Sequence, residues 1–331
     1  VTQPTELFVI DGAADWQTVS GTNLLYVDNT SANLFREMAS QQVYALVSGR
    51  WFRAASFDGP WTYVPASALP PDFAAIPDNC PKENVLASVP GTPEAQEAVV
   101  ANSIPQTAVV DVNKASFTTK VDGAPQLQPI AATPLYYVLN SRTPIIKVAD
   151  NSWYACEGGI WFTSASLGGP WSVATSVPAV IYSIPPSSPL YYTTFVRIYN
   201  VTPTAVVVGY TPGYMGTVVS ADGVVVYGTG YNNVAYVGPT YWYPAPVTYG
   251  YAAAVTWTPW TSWIVGFGFG WTMATNYWGC APFWGGIYYP YHPPYPPPPG
   301  PPGPPLPPPH GGVAVGPNGA AAWGPGGWAA T

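Results

Sequence analysis

The sequence predicts a mainly β protein: tandem small β-modules with one short helix, an aromatic and Gly-rich β region and an extended polyproline C-terminal arm. Three observations carry that reading. A motif of Trp-Phe followed by Gly-Pro-Trp occurs twice, 110 residues apart. Short runs of alternating or β-branched residues, punctuated by Gly, Pro and Asn turns, fill most of the chain. From Ile198 to Thr331 there is no Lys, Arg or Glu, and the single charge is Asp222.

The first module, residues 1–88, opens with the apolar run Thr5–Ile10, a strand that could pair at home or be lent to a neighbour. Strands follow at Leu24–Val27 and Val43–Val47, and Ser48-Gly49 turns the chain into Trp51, Phe52 and Arg53. The unit closes on Ser56-Phe-Asp-Gly-Pro-Trp61, in which a φ-permissive glycine precedes a proline of fixed φ. The second module, 132–188, repeats this with a strand at Leu135–Leu139, then Trp153-Tyr-Ala-Cys156, Trp161, Phe162 and Ser166-Leu-Gly-Gly-Pro-Trp171. Repetition of residue types and spacing predicts two homologous β-modules. The repeated tryptophans Trp51, Trp61, Trp161 and Trp171 suit core packing, or alternatively a sugar-stacking platform.

Between the modules, residues 89–131 hold the best helix, Thr92–Asn102: Thr92 is a fitting N-cap, Pro93 takes the first helical position, and Glu94 and Glu97 face the positive helix end. Thr107–Val112 and Ala115–Val121 then read as a hairpin turning at Asn113-Lys114. Residues 189–240 form a β-hairpin region, with strands at Thr194–Tyr199, Ala205–Tyr210 and a hairpin over Thr217–Tyr227 turning at Asp222-Gly223.

The uncharged region 241–290 is dense in Trp, Tyr and Phe. Ala252–Thr275 is apolar enough to raise a membrane helix, but Pro259 interrupts it and Val265-Gly-Phe-Gly-Phe-Gly-Trp271 alternates with the period of a strand. No transmembrane span is expected. Residues 291–331 form the Pro-rich arm: Pro293–Pro309 is expected to be a stiff polyproline II segment, and Val313–Val315 with Ala320–Trp323 a small hairpin.

Composition narrows the function. Charged residues are 8% of 331, with 33 glycines, 42 prolines and a net charge of −7. Nine Lys and Arg make a phosphate-binding surface, and hence a nucleic-acid partner, unexpected. The chain opens on Val1, which fits a processed protein or part of a precursor. Cys80, Cys156 and Cys280 match no metal or redox spacing; one disulfide in any of three pairings and three buried thiols are both open.

Both histidines, His292 and His310, lie in the proline arm, so no Ser-His-Asp, Cys-His or His-Glu-x-x-His constellation can be assembled from a folded cleft. No catalytic, cofactor or metal residue is predicted, and an enzyme is not expected. Asp28-Asn-Thr-Ser-Ala-Asn33 lacks the glycine and closing Glu of a calcium loop. Asn29-Thr-Ser31 and Asn200-Val-Thr202 are sequons by pattern, so covalent glycans join bound ones as conceivable partners.

Leu86–Val99, Ser152–Trp171, Pro178–Tyr192 and Val208–Tyr231 resemble a large family of uncharacterised bacterial secreted or envelope proteins with repeated WF…GPW units. Members are sometimes labelled carbohydrate-binding family V/XII-like, and the family includes filament-forming environmental relatives. The resemblance implies an extracellular or cell-surface location and no established activity.

An uncharged apolar region of this length needs cover. The expectation is therefore a structural subunit of an extracellular bacterial filament, a helical homopolymer assembling through its C-terminal region and exchanged terminal segments. The assembly candidates are Leu7, Val9, Phe267, Phe269, Trp271, Tyr291, Tyr295, Trp323 and Trp328. The alternative is a cell-surface carbohydrate-binding protein using exposed Trp platforms.

Overall fold

Short strands joined by tight turns can bury both of their faces only if other elements close over each side. The computed structural model, which describes residues 8–231, 233 and 236–243 and the backbone of five later strands, meets that demand twice. In the first unit β1 (Trp16–Thr18), β2 (Leu24–Val27), β3 (Asn33–Glu37), β4 (Val43–Val47), β5 (Arg50–Ala54) and β6 (Thr62–Val64) form an antiparallel meander in sequence order. Short 3-10 turns at Ala66–Ala68, Pro71–Ala75 and Glu83–Ser88 then cross one face.

That face carries Leu24, Tyr26, Phe35, Tyr44, Leu46 and Trp51 against Phe73, Ile76, Val85 and Leu86. Phe73 is the hub: its ring lies 4.8 Å from Trp51, 5.2 Å from Tyr44 and 5.5 Å from Phe35, all edge to face. Such pairs contribute about 1 kcal/mol each beyond area burial. The opposite face, Val27, Leu34 and Ala45, is closed by Phe8, Ile10, Trp16, Phe57 and Trp61.

Helix α1 (Pro93–Ser103) follows, capped as expected: the Ala95 N–H donates to Thr92 Oγ1 at 3.2 Å. Next comes β7 (Gln106–Asp111). The expected hairpin partner for it does not form. Among Ala115–Val121 only Val121 makes a bridge, to Ser141, because Phe117 is drawn over Phe162 and Trp171 of the second unit (5.5 and 5.0 Å).

The second unit is β8 (Leu127–Pro129), β9 (Tyr136–Val138), β10 (Ile145–Ala149), β11 (Ser152–Glu157), β12 (Ile160–Ser164) and β13 (Ser172–Val173), again a six-stranded meander, followed by 3-10 turns at Ala179–Ser183 and Tyr191–Phe195. The repeat therefore starts ten residues before the expected 132, at Asp122-Gly123, which answers Asp11-Gly12. Asn29 and Asn140 show the equivalence atom by atom. Asn29 Nδ2 donates to the carbonyls of Asp11 and Ala13 (2.7 Å each), and Asn29 Oδ1 accepts from the Asp15 N–H (2.9 Å). Asn140 does the same to Asp122 and Ala124 (2.8 and 2.7 Å) and from Gln126 (2.8 Å).

The next segment binds the molecule together. β14 (Val196–Val201) and β15 (Ala205–Tyr210) form a sheet in the order β14, β15, β7, with β15 in register from Ala205↔Asp111 to Tyr210↔Gln106. One face of it, Val110, Val206 and Val208, packs on Ile145, Ala155, Ile160 and Phe162. The chain then returns to the first unit. β16 (Thr217–Val219) and β17 (Val225–Tyr227) turn at Asp222-Gly223 and place Val224 and Val226 in the first core. The region 189–240 is therefore not a separate module; it supplies core residues to both units.

Further strands are β18 (Tyr236–Val237), β19 (Trp242–Tyr243), β20 (Ala253–Thr258), β21 (Ser262–Phe267), β22 (Gly312–Gly316), β23 (Gly319–Gly324) and β24 (Gly327–Ala330). β20 pairs β21 across Pro259, and β22, β23 and β24 form a three-stranded antiparallel sheet, one strand more than the tail hairpin expected. Among the described residues no helix is long and apolar enough to cross a membrane.

Candidate functional site

Trp51 and Trp161 occupy strand positions before their Gly-Pro turns and are fully buried. A Trp can be enclosed cheaply only if its N–H finds an acceptor. Trp51 Nε1 donates to the Ser88 carbonyl (2.8 Å) and Trp161 Nε1 to the Val196 carbonyl (3.1 Å), so each indole ties its sheet to the end of the 3-10 run crossing it. This corrects the sugar-stacking assignment for both residues: a ring without an exposed face has nothing to stack on.

Trp61 and Trp171 sit on the other faces of their sheets and are half-buried. Trp61 meets Phe8 edge to face at 5.8 Å. Trp171 meets Phe117 at 5.0 Å and donates to Thr119 Oγ1 at 2.9 Å. Four tryptophans divided between opposite sheet faces cannot form one planar platform. The preceding glycines need their freedom, at φ +78° for Gly59 and +90° for Gly169; a side chain at Gly59 would also sit 3.1 Å from the Trp61 nitrogen.

Parts of the uncharged region are fastened to the two repeat units, and β20 and β21 lie beside α1 and the Glu83–Ser88 turn. Several of its residues up to 243 are anchored by the repeat units. The lone charge Asp222 accepts from Ser67 Oγ (2.7 Å) and the Ala66 N–H (3.2 Å), fastening the β16–β17 turn to the first unit. Tyr227 N–H donates to the Ser48 carbonyl (3.0 Å), and Arg50 reaches the Tyr227 and Gly228 carbonyls (2.5 and 2.7 Å). At the second unit Asp122 accepts from Thr240 and from the Tyr241 N–H (2.9 Å), and the Thr240 hydroxyl holds its carboxyl below the usual carboxylate range. The Arg142 guanidinium lies 3.5 Å over the Tyr241 ring.

Of the assembly candidates, Val9 is 66% exposed, while its neighbours Phe8 and Ile10 pack at home and no strand runs through them. Leu7, Phe269, Trp271, Tyr291 and Tyr295 lie outside the described residues. Phe267 ends β21 opposite Ala253, and Trp323 pairs with Trp328 across β23 and β24.

β14 borders its sheet with a register shift between Ile198 and Asn200, and its Val201 N–H donates to Asn200 Oδ1 (2.9 Å). No strand among those described pairs the outer side of β14, and Tyr199 and Val201 on it are 49% and 42% exposed. A groove of about 610 Å³ runs along it, between Arg197–Val201 and the stretch Thr175–Val177, with Tyr182 beneath. Arg197 covers the Tyr182 ring at 3.5 Å, and the Tyr182 hydroxyl donates to the Val196 carbonyl (3.2 Å).

Chemically active groups are few. Among the described residues no three of His, Cys, Asp and Glu gather as metal ligands. Cys80 and Cys156 are buried thiols in separate cores, which removes the pairing between them; burial pushes both pKa values up. Cys280 and both histidines lie outside the described residues. Asn29, in the first sequon, has its amide engaged as described, whereas Asn200 is exposed in β14. Glu83 is raised to about 7, first by burial and then by Glu94 and Asp78. The sequence-level reading missed the Asn29 and Asn140 clamps, although Asp-Gly-Ala stands before both. No family model, curated protein or solved structure matches this chain.

Proposed function

We propose that the protein is a structural subunit that polymerises outside the cell, a β-rich protomer whose copies are held together by the chain beyond residue 243. The observation that carries this reading is the loss of charge along a region dense in aromatic rings. Up to residue 243 its described residues are fastened to the two repeat units, β20 and β21 lie beside α1 and the Glu83–Ser88 turn, and the only charge after Arg197 is engaged within the chain. From Tyr243 to Thr331 no charged side chain remains to hydrate a surface dense in Trp, Tyr and Phe. A second copy supplies the cover, and because the tail and the repeat units are different surfaces, the contact is heterologous and propagates as an open polymer.

Carbohydrate binding receives less support, since Trp51 and Trp161 are enclosed. Negative-stain microscopy and light scattering of purified full-length protein test the proposal: fibres are expected, and monodisperse monomers at micromolar concentration contradict it. Removing Pro293–Thr331 is expected to abolish the fibres.

A further inference from the structure

Two asparagines stand in the Asn-x-Ser/Thr pattern, and the fold uses them in opposite ways. A glycan on an asparagine replaces one amide hydrogen and has to leave the molecule into solvent. Asn29 does not meet that condition: its Nδ2 donates to the Asp11 and Ala13 carbonyls (2.7 Å each), so both amide hydrogens are spent inside the clamp. Asn200 meets it. The side chain is exposed and is fixed by its Oδ1, which accepts from the Val201 N–H, while among the described residues its Nδ2 donates to nothing. Thr202 completes the pattern in the turn between β14 and β15, where its hydroxyl is tied to Ala205 (3.0 Å). Across the register shift, Tyr199 and Asn200 line one groove with Thr175, Ser176 and Arg197. Its volume of about 610 Å³ is that of a small-ligand site. The half-exposed Tyr199 ring offers an apolar face, and Thr175 and Ser176 offer exposed hydroxyls, which together match the faces of a sugar.

We propose that Asn200 carries an N-linked glycan whose first sugar lies along this groove, over Tyr199. The donor is a sugar diphosphate. The bond from Asn200 Nδ2 to the sugar C1 forms, the bond from C1 to the diphosphate oxygen breaks, the diphosphate leaves with the electron pair, and Nδ2 gives up one proton. Attached there, the glycan covers the exposed parts of Tyr199 and Val201 and keeps other strands from the border of this sheet, a protection that natural edges otherwise draw from charge, proline or a covering loop. It also hydrates a surface at the start of the stretch that has lost Lys, Arg and Glu. The inference draws on the extracellular location in the proposed function and is independent of polymerisation.

Mass spectrometry of peptic peptides from the full-length protein, isolated from the cells that make it, tests the assignment. Release of the glycan by an amidase in heavy-oxygen water converts the modified asparagine to labelled Asp, and the label is expected at Asn200 and not at Asn29. Asn200→Gln and Thr202→Ala are each expected to lose the glycan mass, whereas Thr202→Ser keeps it. Tyr199→Ala is expected to keep the glycan and to speed its release from the folded protein. An unmodified Asn200, or a glycan on Asn29, overturns the assignment, and an unchanged release rate from Tyr199→Ala overturns the seat in the groove.

Discussion

Replacing Trp51 or Trp161 by Phe separates a structural role from a recognition role. Each substitution removes the indole N–H and leaves a void where its ring was enclosed. The lost hydrogen bond costs about 1 kcal/mol, and a void of this kind in a packed core costs about 1 kcal/mol more. For Trp51 the Ser88 carbonyl is left without its indole donor, giving about 2 to 3 kcal/mol. For Trp161 the Val196 carbonyl keeps the Tyr182 hydroxyl, so the cost falls to about 1.5 to 2 kcal/mol. Urea unfolding followed by fluorescence and circular dichroism reads the difference, with Trp51→Phe the weaker variant. An exposed platform residue would cost no more than about 0.5 kcal/mol. Changes that small for both variants would refute the assignment of these rings to the two cores.

Other consequences come from the same geometry. Asn140→Ala, at a fully buried site, is expected to cost about 2 to 3 kcal/mol, and Asn29→Ala, at a half-exposed one, about 1 to 2, measured by thermal unfolding. Equal losses would show that the two clamps are not graded by burial. Gly49 lies at φ +82°, and a side chain there would collide with the Val225 backbone, so Gly49→Ala should cost at least about 2 kcal/mol and raise proteolysis within 217–227. Glu83 is held protonated by burial up to about pH 7, whereas the unfolded chain titrates near 4.5. Stability linked to this group is full below pH 4.5 and falls as pH rises toward 7. Discounted for the partial solvent exposure of the side chain, the loss is roughly 1 kcal/mol. Glu83→Gln should therefore raise the unfolding midpoint at pH 8 and leave it unchanged at pH 4.

The duplication was legible because its markers are chemically demanding. Gly-Pro-Trp and the Ser48-Gly49 and Gly158-Gly159 turns require positive φ or a fixed ring, and few other residues can replace them. The short strands Asn33–Glu37 and Leu127–Pro129 were not legible, since they are polar or brief and gain their place from neighbours on both sides. The partner of β7 was hidden for a similar reason: Thr107–Val112 does alternate, but the strand that completes it lies almost a hundred residues away, and sequence distance carries no trace of that pairing. The uncharged region reads in the sequence as a single surface, and the structure packs part of it on the repeat units. Its strands β14 to β17 obey ordinary alternation, and one face of them is buried in the two cores. Of the tryptophans, residue type alone could not decide burial; the enclosing 3-10 turns did.

The central claim is that the uncharged, aromatic-rich chain beyond residue 243 joins copies of the protomer. Sedimentation velocity and negative-stain microscopy of the full chain beside a chain ending at Tyr243 test it most directly. Fibres from the full chain, and a folded monomer with a single cooperative transition from the shorter one, are the expected results. Monomers from the full chain, or fibres from the shorter one, would contradict the account.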